Sequence, residues 1–153
     1  MQIQSTRFGE LTVAAEDLLQ FSNGLPGFPD EQQFALISQD SDNPFAFLQS
    51  INNPDLTFIL VDPFSFFNDY SVKLADQYVD ELEISEENPP VVFTIVSIRE
   101  ALKNATVNLL APVVINLKTR QAAQIILEKT DYTTRHKLFP NGLPQQLTEK
   151  GGK

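Results

Sequence analysis

Residues 56–61 read Leu56-Thr-Phe-Ile-Leu-Val61, and this stretch decides the fold class. It is rich in β-branched and aromatic residues, which fit a pleated, buried surface. It is too short for a helix of ordinary length, and Asn53-Pro54 before it and Asp62-Pro63 after it are turn signals. The apolar residues follow one another with little alternation, so both faces of the strand are expected to be covered. A strand of that kind lies in the middle of a sheet.

Outward from this stretch the same pattern recurs. Strands are expected at Leu11 to Val13, Phe34 to Ile37, Phe45 to Ile51, Val91 to Ile98, Ala105 to Leu117 and Gln124 to Leu127. Pro112 has no N–H for a ladder, so the run it interrupts reads as two strands joined at a bulge or an edge. Asn23-Gly24, Pro26-Gly27, Asn43-Pro44 and Asn88-Pro89-Pro90 punctuate the rest. Only one segment has helical period: Leu74, Tyr78 and Leu82 fall on one stripe with acids opposite, which predicts a short helix near residues 74–84. Residues 1–138 read as one all-β domain with that helix, and 139–153, without an apolar period, as a flexible tail. Phe21-Ser-Asn-Gly-Leu-Pro26 is echoed by Phe139-Pro-Asn-Gly-Leu-Pro144, but no period links the two, so the echo reads as shared turn chemistry.

The 153 residues carry a formal charge of −9, unevenly spread. Residues 1–90 hold sixteen acids against Arg7 and Lys73, a balance of −14, while residues 91–153 hold nine cations against four acids, a balance of +5. The acidic half is unsuited to phosphate and suited to attracting a basic protein. Two small basic clusters, Lys118/Arg120 and Arg135/His136/Lys137, lack the interleaved aromatics of a nucleic-acid platform and read as solvated strand ends. Direct binding of nucleic acid is not expected. The start of the chain lacks the apolar run of a signal peptide, and no stretch approaches the ~20 apolar residues of a membrane span, so the expected location is the cytoplasm.

Catalytic signals are sparse. The chain has no cysteine and a single histidine, His136, placed between two cations that oppose metal binding. No Gly-x-Ser-x-Gly elbow is present, and Gly24-Leu-Pro-Gly27 lacks the Lys and Ser/Thr of a phosphate loop. Asp62 and Asp69 would form a carboxylate pair only if folded together in a cleft; as separate residues they read as turn caps. No enzymatic activity, cofactor or metal is expected. Twelve phenylalanines with no tryptophan form a large allotment, and Phe64, Phe66 and Phe67 are hard to bury together because an extended chain turns Phe66 and Phe67 to opposite faces. An exposed aromatic patch for a protein ligand is one reading. A barrel whose phenylalanines line a small-ligand cavity is the alternative.

Five segments, in order, resemble one family, the flagellar assembly factor FliW family. They are Phe21-Ser-Asn-Gly-Leu-Pro-Gly-Phe28; Pro44-Phe45 with Leu48-Gln49-Ser50; Asp62-Pro63 with Phe66-Phe67 and Asp69-Tyr70; Thr106-Val-Asn-Leu-Leu-Ala-Pro112 with Ile115-Asn116; and Gln124-Ile-Ile-Leu127 with Tyr132 and Arg135-His136. They span roughly residues 3–138. Ala122-Ala123 and Leu110 depart from the pattern, standing where a Gly-Lys pair and an Arg are common. The resemblance implies a compact, mostly antiparallel β-barrel-like fold, no catalysis and two protein partners: flagellin, held in the cytoplasm, and CsrA, a basic RNA-binding repressor of flagellin translation. By residue type alone, Phe64, Phe66 and Phe67 are expected to meet an amphipathic flagellin helix. Asp62, Asp69, Tyr70, Asp76, Asp80 and Glu81 complete the candidate partner-binding set.

Overall fold

The computed structural model describes residues 1–38 and 43–142. A hairpin of β1 (Gln2–Ser5) and β2 (Gly9–Thr12) is followed by β3 (Leu18–Phe21), β4 (Gln33–Ser38), β5 (Phe45–Ser50) and β6 (Thr57–Val61). The helix α1 (Asp76–Glu81) leads into β7 (Val91–Ser97), β8 (Thr106–Val107), β9 (Val113–Asn116), β10 (Gln121–Gln124) and β11 (His136–Lys137). Strands β3 to β7 form an antiparallel meander. The ring runs on from β3 to β10 and β9, and β9 pairs with β7, closing a barrel of seven strands. The β3–β10 contact is parallel, through Gln20 beside Gln121 and Phe21 beside Ala122. Among the described residues no helix is long and apolar enough to cross a membrane.

Closure sorts each strand's side chains by alternation. Leu19, Phe21, Phe34, Ala46, Leu48, Leu60, Val113, Ile115 and Ala122 pack together inside the barrel, with Phe58, Phe93 and Ile95 at their margin. The intervening residues face outward and are buried a second time. Val61, Val96 and Val107 lie under Tyr70, Leu109, Leu138 and Phe139. Ala35 lies under Ile3 and Val13 of the hairpin, and Val114 and Ile125 lie under Leu74, Tyr78 and Leu82 of the helical segment. This double coverage is why residues 56–61 show so little alternation.

Pro112 divides its run as expected, into β8 and β9, and both pair with β7. Val96 faces Val107; extending that register to Phe93 would bring up Leu110, but Val113 stands there, so three extra residues are looped out ahead of the buried Pro112. Other boundaries differ from the sequence reading. The strand expected at Gln124 to Leu127 lies earlier, at β10, though Ile125 and Leu127 still donate N–H bonds to the carbonyls of Pro112 and Leu110 (2.9 and 2.8 Å). The short strands β1 and β11 carry too few apolar residues to stand out, and β3, though apolar at three of its four positions, is too short to show a period.

The helix is shorter than the stripe predicted. Residues 71–75 lie outside the helix, with Ala75 extended, and the helix ends on Glu83 at φ 53°, with Glu83 N–H bonded to Asp80 O (3.2 Å) and Ile84 N–H to Val79 O (2.9 Å). This pair of bonds is a Schellman close. Phe139, assigned from the sequence to the tail, is buried against Phe66 with ring centroids 5.8 Å apart; residues 143–153 lie outside the described residues. Within the described residues the echo repeats one contact: Gly24 N–H reaches Phe21 O and Gly142 N–H reaches Phe139 O, each glycine at positive φ.

Candidate functional site

The segment after β6 folds back over the outer wall of the barrel. Pro63 opens a short 3-10 turn, residues 63–65, and Asp62 caps it by accepting from Phe64 N–H (3.0 Å) and Ser65 Oγ (3.2 Å). That is the turn-capping role expected of Asp62. The turn separates the three phenylalanines. Phe64 points outward, 44% exposed, beside Tyr70 (5.7 Å). Phe66 is held between Phe45 (6.0 Å) and Phe139 (5.8 Å), and Phe67 lies against His136 (6.2 Å). Both are half-buried in the outer core. Of the expected aromatic patch, then, Phe64 alone is exposed.

Tyr70 is buried, donating its phenol to Leu109 O (2.8 Å) and lying 4.8 Å from the Tyr132 ring. Burial, and secondarily Tyr132, holds its pKa above the usual value. Tyr132 in turn pins the chain, its hydroxyl accepting from Ser71 N–H (3.1 Å) and donating to Asp69 O (3.4 Å). Asp69 is exposed while Asp62 is occupied as a cap, so the two sit on turns of the outer wall. Asp76, Asp80 and Glu81 are all exposed on α1, whose Tyr78 and the following Leu82 face the barrel.

Between the aromatic segment and the helix runs an open groove of about 630 Å³. One wall is Ser71 to Tyr78, the other Ile125 to Thr130, and Tyr132 lies at the aromatic end. Ile126 stands 63% exposed in it. The sequence reading missed Ile126 and Tyr132. The signal for Ile126 was available: in Ile125-Ile126-Leu127 alternation sends the middle residue to the face opposite its neighbours, and both neighbours are buried. The barrel interior, by contrast, is filled, Phe21 and Phe34 meeting edge to face at 5.4 Å and Phe34 touching Phe58. Phenylalanines pack that space as core instead of lining a chamber. Among the described residues no three His, Cys, Asp or Glu side chains gather as a metal set.

The order of these parts matches a known family along almost the whole described fold: the model of the FliW protein family matches residues 2–138. The chain belongs to the FliW family. A flagellar assembly factor FliW from Desulfitobacterium hafniense (strain DSM 10664 / DCB-2) is 50% identical over 151 residues, 99% of each chain. One from Heliobacterium modesticaldum (strain ATCC 51547 / Ice1) is 45% identical over 152 residues, again 99% of each. A crystal structure of the flagellar assembly factor FliW superposes with a TM-score of 0.84 at 38% identity, covering 94% of this chain and all of the other. The FliW fold and the filled seven-strand barrel are therefore one architecture.

Proposed function

We propose that this chain is a non-catalytic flagellar assembly factor of the cytoplasm that binds two proteins in exchange. It holds newly made flagellin as a chaperone, and it binds CsrA as an antagonist that relieves repression of flagellin translation. The observation that carries the reading is the 50% identity, end to end, with a protein named for flagellar assembly. The acidic half supports the CsrA arm: Asp69, Asp76, Asp80 and Glu81 are exposed, and a field of that sign draws a basic RNA-binding surface while disfavouring RNA beside it. Phe64 and Ile126, exposed at the aromatic segment and in the groove, support capture of an amphipathic flagellin helix. Phe66 and Phe67 contribute by holding that wall in place.

The test is titration of this protein into CsrA bound to labelled flagellin leader RNA, read by anisotropy at two salt concentrations. RNA release that weakens as salt rises is expected, as is its reversal by added flagellin. Linkage also requires that RNA weaken CsrA's affinity for this protein by the same factor. No release at either salt from folded protein would remove the CsrA arm. Unchanged flagellin binding by Phe64→Ser and Ile126→Asp would remove the proposed contact.

A further inference from the structure

The end of the molecule where β8 and β11 extend the sheet beyond the barrel has chemistry unlike the rest. There the registers align Ser97 of β7 with Thr106 of β8 and Thr106 with Lys137 of β11. The adjacent row, Val96–Val107–His136, faces the other side, its valines buried in the outer core. Just beyond β7 comes Arg99, and just before β11 comes Arg135, so the two arginines flank the hydroxyl row from opposite strands. Together they enclose a cleft of about 270 Å³ whose polar lining is Ser97, Arg99, Asn104, Thr106, Thr134 and Arg135, with the Asn108 amide.

No carboxylate lines this cleft. Neither guanidinium has a hydrogen-bond or ion-pair partner among the described residues, whereas the Arg120 guanidinium is engaged by the Glu16 carbonyl. Asn108 Oδ1 is already used, accepting from Ala111 N–H (2.9 Å), which leaves its NH₂ as the group available to a ligand. Two guanidiniums, three hydroxyls and two amides are therefore among the groups of the residues that line a space smaller than the ~300–1,000 Å³ of sites for drug-sized ligands. In a chain of net charge −9 the overall field repels anions, so affinity for one has to arise locally.

We propose that this cleft binds a small phosphate-bearing anion. A tetrahedral phosphate offers acceptors in several directions and up to two negative charges, matching two guanidiniums and surrounding hydroxyls; a planar carboxylate offers two oxygens and one charge. The assignment is independent of the partner-exchange reading, because none of its residues belongs to the aromatic segment, the groove or the acidic helix.

The test is thermal unfolding and ³¹P NMR titration of the full chain with inorganic phosphate, against sodium chloride and sodium acetate at matched ionic strength. Phosphate is expected to raise Tm saturably and to show exchange broadening, while chloride and acetate do neither. Arg99→Gln and Arg135→Gln are each expected to weaken phosphate at least tenfold and to leave Tm in chloride unchanged; Lys118→Gln, outside the cleft, should bind as wild type. Equal Tm in phosphate and chloride would overturn the site. So would phosphate binding that survives both arginine substitutions. An equal response to acetate would reassign the cleft to carboxylates, and tighter binding of an RNA hexamer at equal phosphate concentration would reassign it to a polymer.

Discussion

Asn116 is 1% exposed on the outer side of β9, and its amide is fully used: Nδ2 donates to Leu82 O (2.8 Å) and Glu83 O (3.1 Å), and Oδ1 accepts from the N–H groups of Lys118 (2.9 Å) and Thr119 (3.2 Å). It ties the end of α1 to the β9–β10 turn. Asn116→Ala is expected to cost about 2–3 kcal/mol in urea unfolding, because the buried Leu82 carbonyl and the partly buried groups of Glu83, Lys118 and Thr119 lose their partner. Glu83→Gly should act in the other direction, raising stability by about 0.5–1 kcal/mol, since Glu83 holds the left-handed conformation that glycine adopts freely. Tyr70 predicts a pH dependence. Its phenol stays protonated in the folded chain above the ordinary value of 10.0, so the unfolded chain loses that proton first. Its contribution is complete below about pH 10 and declines as pH rises further. Tyr70→Phe should flatten that alkaline limb and cost about 1–2 kcal/mol at neutral pH by orphaning Leu109 O. Such residues were hard to read from the sequence. Asn116 and Gln49 look like polar interruptions of apolar runs, and only the fold reveals that Gln49, for instance, accepts from Ser5 Oγ (2.7 Å) across 44 residues of chain.

Elements were legible in proportion to how much of their pattern is local. Pro112 announced a divided strand because the missing N–H is a property of one residue; the three-residue offset that lets both halves follow β7 depends on the partner strand and was not visible. The Leu74, Tyr78 and Leu82 stripe revealed which face is buried but overstated the helix, because a non-helical approach followed by one turn and a half presents the same side chains. The hairpin β1–β2 was half seen: β1 buries Ile3 and Ser5 while showing two glutamines to solvent, too short an alternation to stand out. At Gly24 the turn is under a geometric demand. Its φ is +64°, and an added Cβ would lie 2.5 Å from Phe28 O and 2.6 Å from Pro29 O. Gly24→Ala should therefore destabilise by about 2 kcal/mol or more, seen as a lower denaturant midpoint with unchanged slope. Gly27→Ala isolates the cost of backbone conformation, since nothing stands within 4 Å of its Cβ position.

At the scale of the molecule, one barrel serves two cores, inside and out, and this is what absorbs eight of the twelve phenylalanines. The sequence reading placed aromatics 64, 66 and 67 on one surface because it had no second core to assign them to. Leu48→Ala, inside the ring, is expected to cost about 2–5 kcal/mol by leaving a void in a filled space, whereas Phe64→Ser should leave the unfolding midpoint nearly unchanged. That contrast, measured in one urea series, separates the packed wall from its exposed edge. The ring also has a seam. Strands β3 to β7 pair each with the next in sequence, but the barrel shuts only when Ala122 reaches Phe21. A chain growing from its N-terminus can thus assemble hairpin after hairpin and still be an open sheet with bare edges until residue 122 has been made. Synthesis interrupted before residue 122 leaves a fragment poised to pair with its own kind, and the finished barrel owes its freedom from that fate to the two pairs that join β10 to β3 and the three that join β9 to β7.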